Sequence, residues 1–338
     1  MEGVVRRLAY WGFRPDGATG DEPQKVAGGY IMRGDVFDDA VVPERWSALN
    51  RAISAKGFEE VVEEAAYTWF NRMVAMQVLA KNDYEIAQLE FAKDDDTTPL
   101  MLQRARRGDM AFLDAEEQSR VAKLLTTFTK DQEAFAQLLT GYCRSHRTLS
   151  RVFGKPDDYT ELLLPDDMLQ EGGFLHLLNT AEALTDEEFQ KVELIGWLYQ
   201  FYISEKKDEV FDSFGKGKKA EAKDIPAATQ IFPPNWIVKY MVENTAGKVW
   251  LDKHPNSPLK SEMKYLVENE SDGTREPIIK DVEELTLIDP ACGSGHILVE
   301  GFDLLYKMHM ERYYSPEDAV DSILKHNLFG LDIDDRAA

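Results

Sequence analysis

The stretch LTLIDPACGSGHILVEGF, residues 285 to 302, restricts the fold more than any other part of this chain. A short apolar run, a turn holding Gly293 and Gly295, and an apolar run with helical spacing read as strand, turn and helix. Glycine at both turn positions allows backbone angles closed to other residues and lets a ligand approach the main chain. The helix that follows brings unpaired N–H groups to the same place. The turn is not a P-loop, because no Lys follows Gly295. It is not a dinucleotide fingerprint either, since Leu298 stands where that motif has its last glycine. What remains is a carboxylate, Asp289, at the end of the strand beside the glycines.

A carboxylate there suits a ligand that carries an ammonium group and no phosphate. S-adenosyl-L-methionine (SAM) is such a ligand. A second carboxylate supports it. SPEDAVDSILKHN reads as a helix with Ser315 as N-cap and Pro316 in its first turn. LFGLDIDD then reads as a buried strand ending in acid. In doubly wound folds the acid ending the second strand accepts hydrogen bonds from a ribose. Asp332 is the candidate for that role, and Ile333 for the adenine face.

Upstream, residues 12 to 35 are rich in Gly, Asp and Pro and read as a loop or partly ordered arm. From about residue 43 the pattern is helical. Phe58, Val61, Val62, Ala65, Ala66, Trp69, Phe70, Met73 and Met76 form one apolar stripe. A further helix starts near 131, with a break expected at Gly141. TDEEFQKVELIGWLYQFYISEKKDEVF reads as one helix, with Thr185 as N-cap and Glu188 completing a capping box. Trp197, Tyr199, Phe201 and Tyr202 on it read as packing rather than a base-stacking platform. FGKGKKAEAKDIPAATQ reads as a linker. NWIVKYMVEN reads as a helix capped by Asn235 and stopped by Gly247, and residues 252 to 284 as a polar insertion.

Composition narrows the function. The 338 residues are 43% hydrophobic, enough for two domains with real cores. Cys143 and Cys292 are far apart, and the histidines show no ligand spacing, which argues against a disulfide framework or zinc site. Cys292 has no partner base and reads as a packed residue. With no signal peptide and no apolar run of membrane length, the expected location is the cytoplasm, with no membrane contact. The net charge of −22 is unsuited to a chain that carries the main phosphate contacts of a nucleic-acid complex. Two short basic runs, Arg104, Arg106 and Arg107, and Lys216, Lys218 and Lys219, read as solvated loops.

Several stretches together resemble one family. DPACGSG resembles motif I of SAM-dependent N6-adenine DNA methyltransferases. AATQIFPPNWIVKYMVEN resembles their N-terminal cofactor motif, and FGLDIDDRA their second-strand motif. AYTWFNRMVAMQVL and WLYQFYISEKKDEVF look like the helical N-terminal part of the large methyltransferases of BREX phage-defence systems. The resemblance runs from about residue 58 onward. It implies that Asp289, Ala291 and Gly293 line the methionine end of SAM, with Gly295 completing the turn. It also implies that Asp332 binds the ribose and Ile333 the adenine, and that Phe232, Pro233 and Pro234 close over the cofactor's carboxylate side. Pro233 replaces the family's usual Thr, which removes a hydroxyl and a backbone N–H.

The family orients its target amine with a [DNS]-P-P-[YFW] tetrapeptide, and none occurs in these 338 residues. The expectation is therefore an α/β protein in three parts: an irregular arm over 1–42, a helical domain over 43–220, and the first part of a Rossmann-like methyltransferase domain over 221–338. As the N-terminal part of a longer enzyme it is expected to be inactive alone. The whole would methylate adenine in host double-stranded DNA. One rival is a naturally short, non-catalytic protein that binds other defence-system proteins or a phage inhibitor. The other is a methyltransferase acting on RNA or protein.

Overall fold

The computed structural model describes residues 1–17, 20–37, 41–91, 98–153, 159–191, 193–217, 219, 221, 224–268 and 278–333. The chain divides into two compact units, Met1–Gln190 and Lys191–Ala338.

The first unit is helical, with a small sheet near its start. Its elements run α1 (Glu2–Tyr10), β1 (Gln24–Val26), β2 (Gly29–Met32), β3 (Asp35–Phe37), α2 (Val42–Lys56), α3 (Phe58–Lys81), α4 (Leu100–Arg106), α5 (Ala115–Leu125), α6 (Asp131–Ser145), α7 (Leu149–Phe153), α8 (Phe174–Thr180) and α9 (Asp186–Phe189). The described residues of the segment expected as an irregular arm hold a helix and three short strands. Helix α1 buries Val4 and Leu8, and Trp11 and Phe13 follow them into the core with Trp46, Leu49 and Val61. Strands β1, β2 and β3 pair antiparallel in sequence order. Arg33 and Gly34, both at positive φ (49° and 91°), make the two-residue turn between Met32 and Asp35. The glycines that suggested a loop are thus hairpin chemistry, and strands this short give almost no alternating signal.

Helix α3 follows its sequence stripe closely. Phe58, Val61, Val62, Ala65, Trp69, Met73 and Met76 are buried, while Ala66 and Phe70 are half-buried. The indoles of Trp11 and Trp69 donate to the carbonyls of Leu162 and Thr160, each at 2.8 Å, and Trp46 donates to the carbonyl of Trp11. Buried polar atoms are thereby satisfied by backbone. Helix α6 is not broken at Gly141. A Cβ there would lie 2.0 Å from Leu113 Cδ2, so this glycine serves close packing.

The second unit holds α10 (Glu193–Gly215), α11 (Ile225–Thr229), α12 (Asn235–Val242), α13 (Lys248–Lys253), β4 (Leu287–Asp289), α14 (His296–Glu311), α15 (Pro316–Ser322) and β5 (Leu328–Gly330). The helix expected from Thr185 is two helices: Thr185 accepts from the Glu188 N–H to start α9, and α10 begins afresh at Glu193. The two compact units meet between these two helices, at Gln190 and Lys191. Of the expected linker, Lys218, Ala220, Ala222 and Lys223 lie outside the described residues. The rest runs into α11, whose Ala227 is buried.

Gly247 does not stop α12. The chain passes through a π-helical turn, Glu243–Gly247, directly into α13. A Cβ on Gly247 would lie 2.9 Å from Met263 Sδ, so packing is again what asks for glycine. The described part of the expected insertion supplies Leu259, Met263, Ile279 and Val282 to a core with Trp250, Leu305 and Met308. Strands β4 and β5 pair in parallel, with Leu287 opposite Leu328 and Ile288 opposite Phe329. Helix α14 connects them through α15, whose N-cap Ser315 accepts from the Asp318 N–H. Gly301 of α14 lets the helix sit on Leu287, since a Cβ there would be 2.4 Å from Leu287 Cδ2.

A glycine turn with unmet polar atoms

The turn after β4 is built by backbone. Leu331 N–H donates to the Asp289 carbonyl and Cys292 N–H to the Leu331 carbonyl, both at 2.9 Å, which ties the turn to the chain leaving β5. Gly295 N–H closes it by donating to the Cys292 carbonyl at 2.7 Å. Gly293 and Gly295 have φ of 51° and 80°, the left-handed region in which only glycine is unstrained. An added Cβ on either would meet nothing within 4 Å. These glycines are therefore set by conformation and leave open space beside them, unlike Gly141 or Gly301.

The two carboxylates expected in the site come together here. Asp332 accepts the Gly293 N–H at 2.7 Å, linking the end of one strand to the turn after the other. Asp289 is 6% exposed. Its Oδ1 accepts the Ala291 N–H at 3.1 Å, whereas its buried Oδ2 has no hydrogen-bond partner. A buried carboxylate oxygen without a partner is costly, and such exceptions mark places where a further group belongs. Burial, reinforced by Asp332 and Asp289, raises the pKa of the Cys292 thiol, which disfavours the thiolate.

The Phe-Pro-Pro segment also reaches this turn. The Phe232 ring lies on the His296 imidazole with centroids 4.6 Å apart and planes within 10°. Residues 64 positions apart in sequence thus meet at the first position of α14. His296 is 5% exposed and neither ring nitrogen has a partner. Burial lowers its pKa, against a smaller opposing effect of Glu193, so the ring favours its neutral form. Pro233 is half-buried and Pro234 exposed. Ala291 is exposed, and Ile333 is 66% exposed. The sequence reads His296 as a helix start facing the pocket, without a catalytic role; its stacking on Phe232 is not legible there.

The residues fit the amino-acid end of SAM. The unpartnered oxygen of Asp289 offers an acceptor for an ammonium, and the open glycine turn lets a ligand lie against backbone. The first turn of α14, which has no side-chain cap, offers N–H donors to a carboxylate.

Elsewhere, Arg104 pairs with Asp109 and Arg106 with Asp131, so two arginines of the first basic run already face carboxylates. Lys218 lies outside the described residues, as do the side chains of Tyr199, Phe201 and Tyr202. Trp197 is 39% exposed. No described helix is long and apolar enough to cross a membrane.

No family profile matches the chain. It is 39% identical over 311 residues to the adenine-specific methyltransferase BrxX of Escherichia coli O9:H4 (strain HS), a match covering 88% of this chain and 25% of that protein. It is 34% identical over 303 residues to the adenine-specific methyltransferase PglX of Lacticaseibacillus casei (strain Zhang), covering 82% of this chain and 24% of that one. The chain therefore spans about a quarter of the length of these curated relatives.

Proposed function

This chain is a relative of the adenine-specific methyltransferases BrxX and PglX over most of its own length, and we propose that it forms part of a SAM-dependent enzyme that methylates adenine N6 in double-stranded DNA for phage defence. The observation that carries the cofactor reading is the buried, unpartnered Oδ2 of Asp289 beside two left-handed glycines.

In this reading Asp289 accepts hydrogen bonds from the ammonium of SAM, and Ala291, Gly293 and Gly295 let the methionine end lie along the main chain. Asp332 takes the ribose hydroxyls. Its hold on the Gly293 N–H couples the ribose position to the shape of the turn. Ile333 lies against the adenine, which gives its exposed side chain a partner. Phe232, Pro233 and Pro234 close the carboxylate side. When bound, the cofactor supplies a methyl group already activated on a sulfonium, so no strong base is asked of the protein. What remains is to present the target amine, with the adenine turned out of the duplex. The residues described here belong to the cofactor half of that task, and the net charge of −22 fits a region that is not the main DNA contact.

The parallel pairing of β4 and β5, with α14 and α15 between them, supports a Rossmann-like sheet. We place the start of that domain at α10 rather than near residue 221. The test is calorimetric titration of SAM into the complete encoded protein and its Asp289→Ala variant, followed by adenine methylation of double-stranded DNA. Wild-type binding that Asp289→Ala abolishes supports the reading. A wild-type protein that binds no SAM sinks it.

A further inference from the structure

Phe232 occupies a slot whose walls are not all in the motifs. One wall is the His296 ring, parallel to it at 4.6 Å. The edge is Trp197, at 6.5 Å and 74°. A further wall is bare backbone at Gly196, in the first turn of α10. An ideal Cβ on Gly196 would lie 1.8 Å from Phe232 Cε2, 2.3 Å from Cδ2 and 2.5 Å from Cζ. No alanine fits there with the ring in place. Gly196 lies within a helix, where conformation asks for no glycine and alanine is intrinsically favoured. Room for the ring is the reason left for it. His296 contributes ring surface to the slot, since neither nitrogen is engaged.

We infer that Gly196 is a positioning residue of the cofactor site: with His296 it clamps Phe232 and so fixes the Phe-Pro-Pro segment over the amino-acid end of SAM. The inference rests on the cofactor reading given above. Phe232 is followed by two prolines, each with φ fixed near its ring value, so seating the phenyl ring sets the path of the next two residues into α12. Three segments separated in sequence then move as one at this point: the start of α10, the Phe-Pro-Pro run and the start of α14.

The experiment is SAM titration of the complete encoded protein, with circular dichroism confirming the fold of each variant. Gly196→Ala is expected to weaken SAM binding by about tenfold or more, because the methyl expels the ring. In a Phe232→Ala background the same change is expected to add nothing, since the ring it collides with is gone. 5′-Methylthioadenosine, which lacks the amino-acid end, should bind Gly196→Ala as it binds wild type. His296→Phe keeps the plate and should hold affinity within about twofold, while His296→Ala should fall with Gly196→Ala.

Unchanged SAM affinity in Gly196→Ala overturns the inference. So does an equal loss in both backgrounds, or an equal loss for 5′-methylthioadenosine. His296→Phe weakening SAM as much as His296→Ala overturns the plate role and hands the effect to the imidazole nitrogens. A wild-type protein that binds no SAM removes the cofactor reading and this inference together, whereas wild-type binding with an unaffected Gly196→Ala removes this inference alone.

Discussion

Each unit buries carboxylates, and Glu161 and Asp289 among them are treated in opposite ways. Glu161 in the first unit is 9% exposed and meets Arg45 at 2.6 Å and Arg144 at 3.2 Å, while Arg144 also pairs with Glu117. Asp289 in the second unit, at 6%, is at least as buried, yet its Oδ2 has no hydrogen-bond partner. Burying a charge costs several kcal/mol and is tolerated where partners repay it. For Glu161 the partners are in the fold. For Asp289 the fold supplies the Ala291 N–H to one oxygen and nothing to the other, and a free-energy cost left standing in one place is what a binding site looks like before its ligand. The contrast supports the proposed role of Asp289 without reference to any motif.

The largest expected effect tests the first half of that contrast. Glu161→Ala removes the carboxylate that Arg45, whose side chain is 9% exposed, meets at 2.6 Å, and should destabilise the first unit by about 3–5 kcal/mol in urea denaturation. Replacing Arg45 and Glu161 together by apolar residues of similar volume should cost far less, because no charge is then left alone. A Glu161→Ala cost below about 1 kcal/mol would mean the pair is only a surface contact.

Asp289→Asn tests the second half. Stability should hold or rise slightly, because the change removes a buried charge that is only partly satisfied. SAM affinity should fall by at least about tenfold, or 1.4 kcal/mol. Thermal denaturation and titration on the same samples read both. If Asn at 289 unfolds the second unit, Asp289 is structural, and the contrast with Glu161 disappears.

Glycines extend the comparison on a smaller scale. Gly295→Ala must force a Cβ into φ of 80° in open space, which should cost about 1–2 kcal/mol. Gly141→Ala meets only the end of the Leu113 side chain and should cost about 1 kcal/mol through overpacking. Leu113→Ala should relieve the second and leave the first untouched. Relief of both by packing changes would show that Gly295 is there for space, like Gly141.

What was legible in the sequence follows the same division. The turn at Gly293 and Gly295 could be read because left-handed backbone has almost one residue type to choose from. The stripe of α3 and the Ser315 cap could be read because their signals are local. Gly141, Gly196 and Gly247 could not, since the atoms that exclude a Cβ belong to Leu113, Phe232 and Met263, each remote in sequence. The N-terminal sheet was missed because three or four residues per strand are too few to show alternation. Asp289 and Asp332 were found as types at strand ends. That Asp332 would hold the Gly293 N–H, and that Asp289 would keep an oxygen unmet, is a matter of geometry that spacing does not carry.

The smallest expected effect concerns the sheet of the second unit. Ile288 and Phe329 are register neighbours on β4 and β5, 58% and 47% exposed, and Leu331 continues the run at 61%. Parallel strands are normally covered on both faces. Apolar area already in water contributes little to folding, so Ile288→Thr with Phe329→Thr should shift the stability of the 338-residue chain by no more than about 0.5 kcal/mol. Self-association, followed by sedimentation, should weaken at the same time. Measured in a protein of the relatives' length, the same pair distinguishes a bare face from a covered one. A cost above about 1.5 kcal/mol per residue is the signature of full burial. A small cost at both lengths would mean that β4 and β5 work as a two-stranded ribbon, and the Rossmann-like reading of the second unit would fail with it.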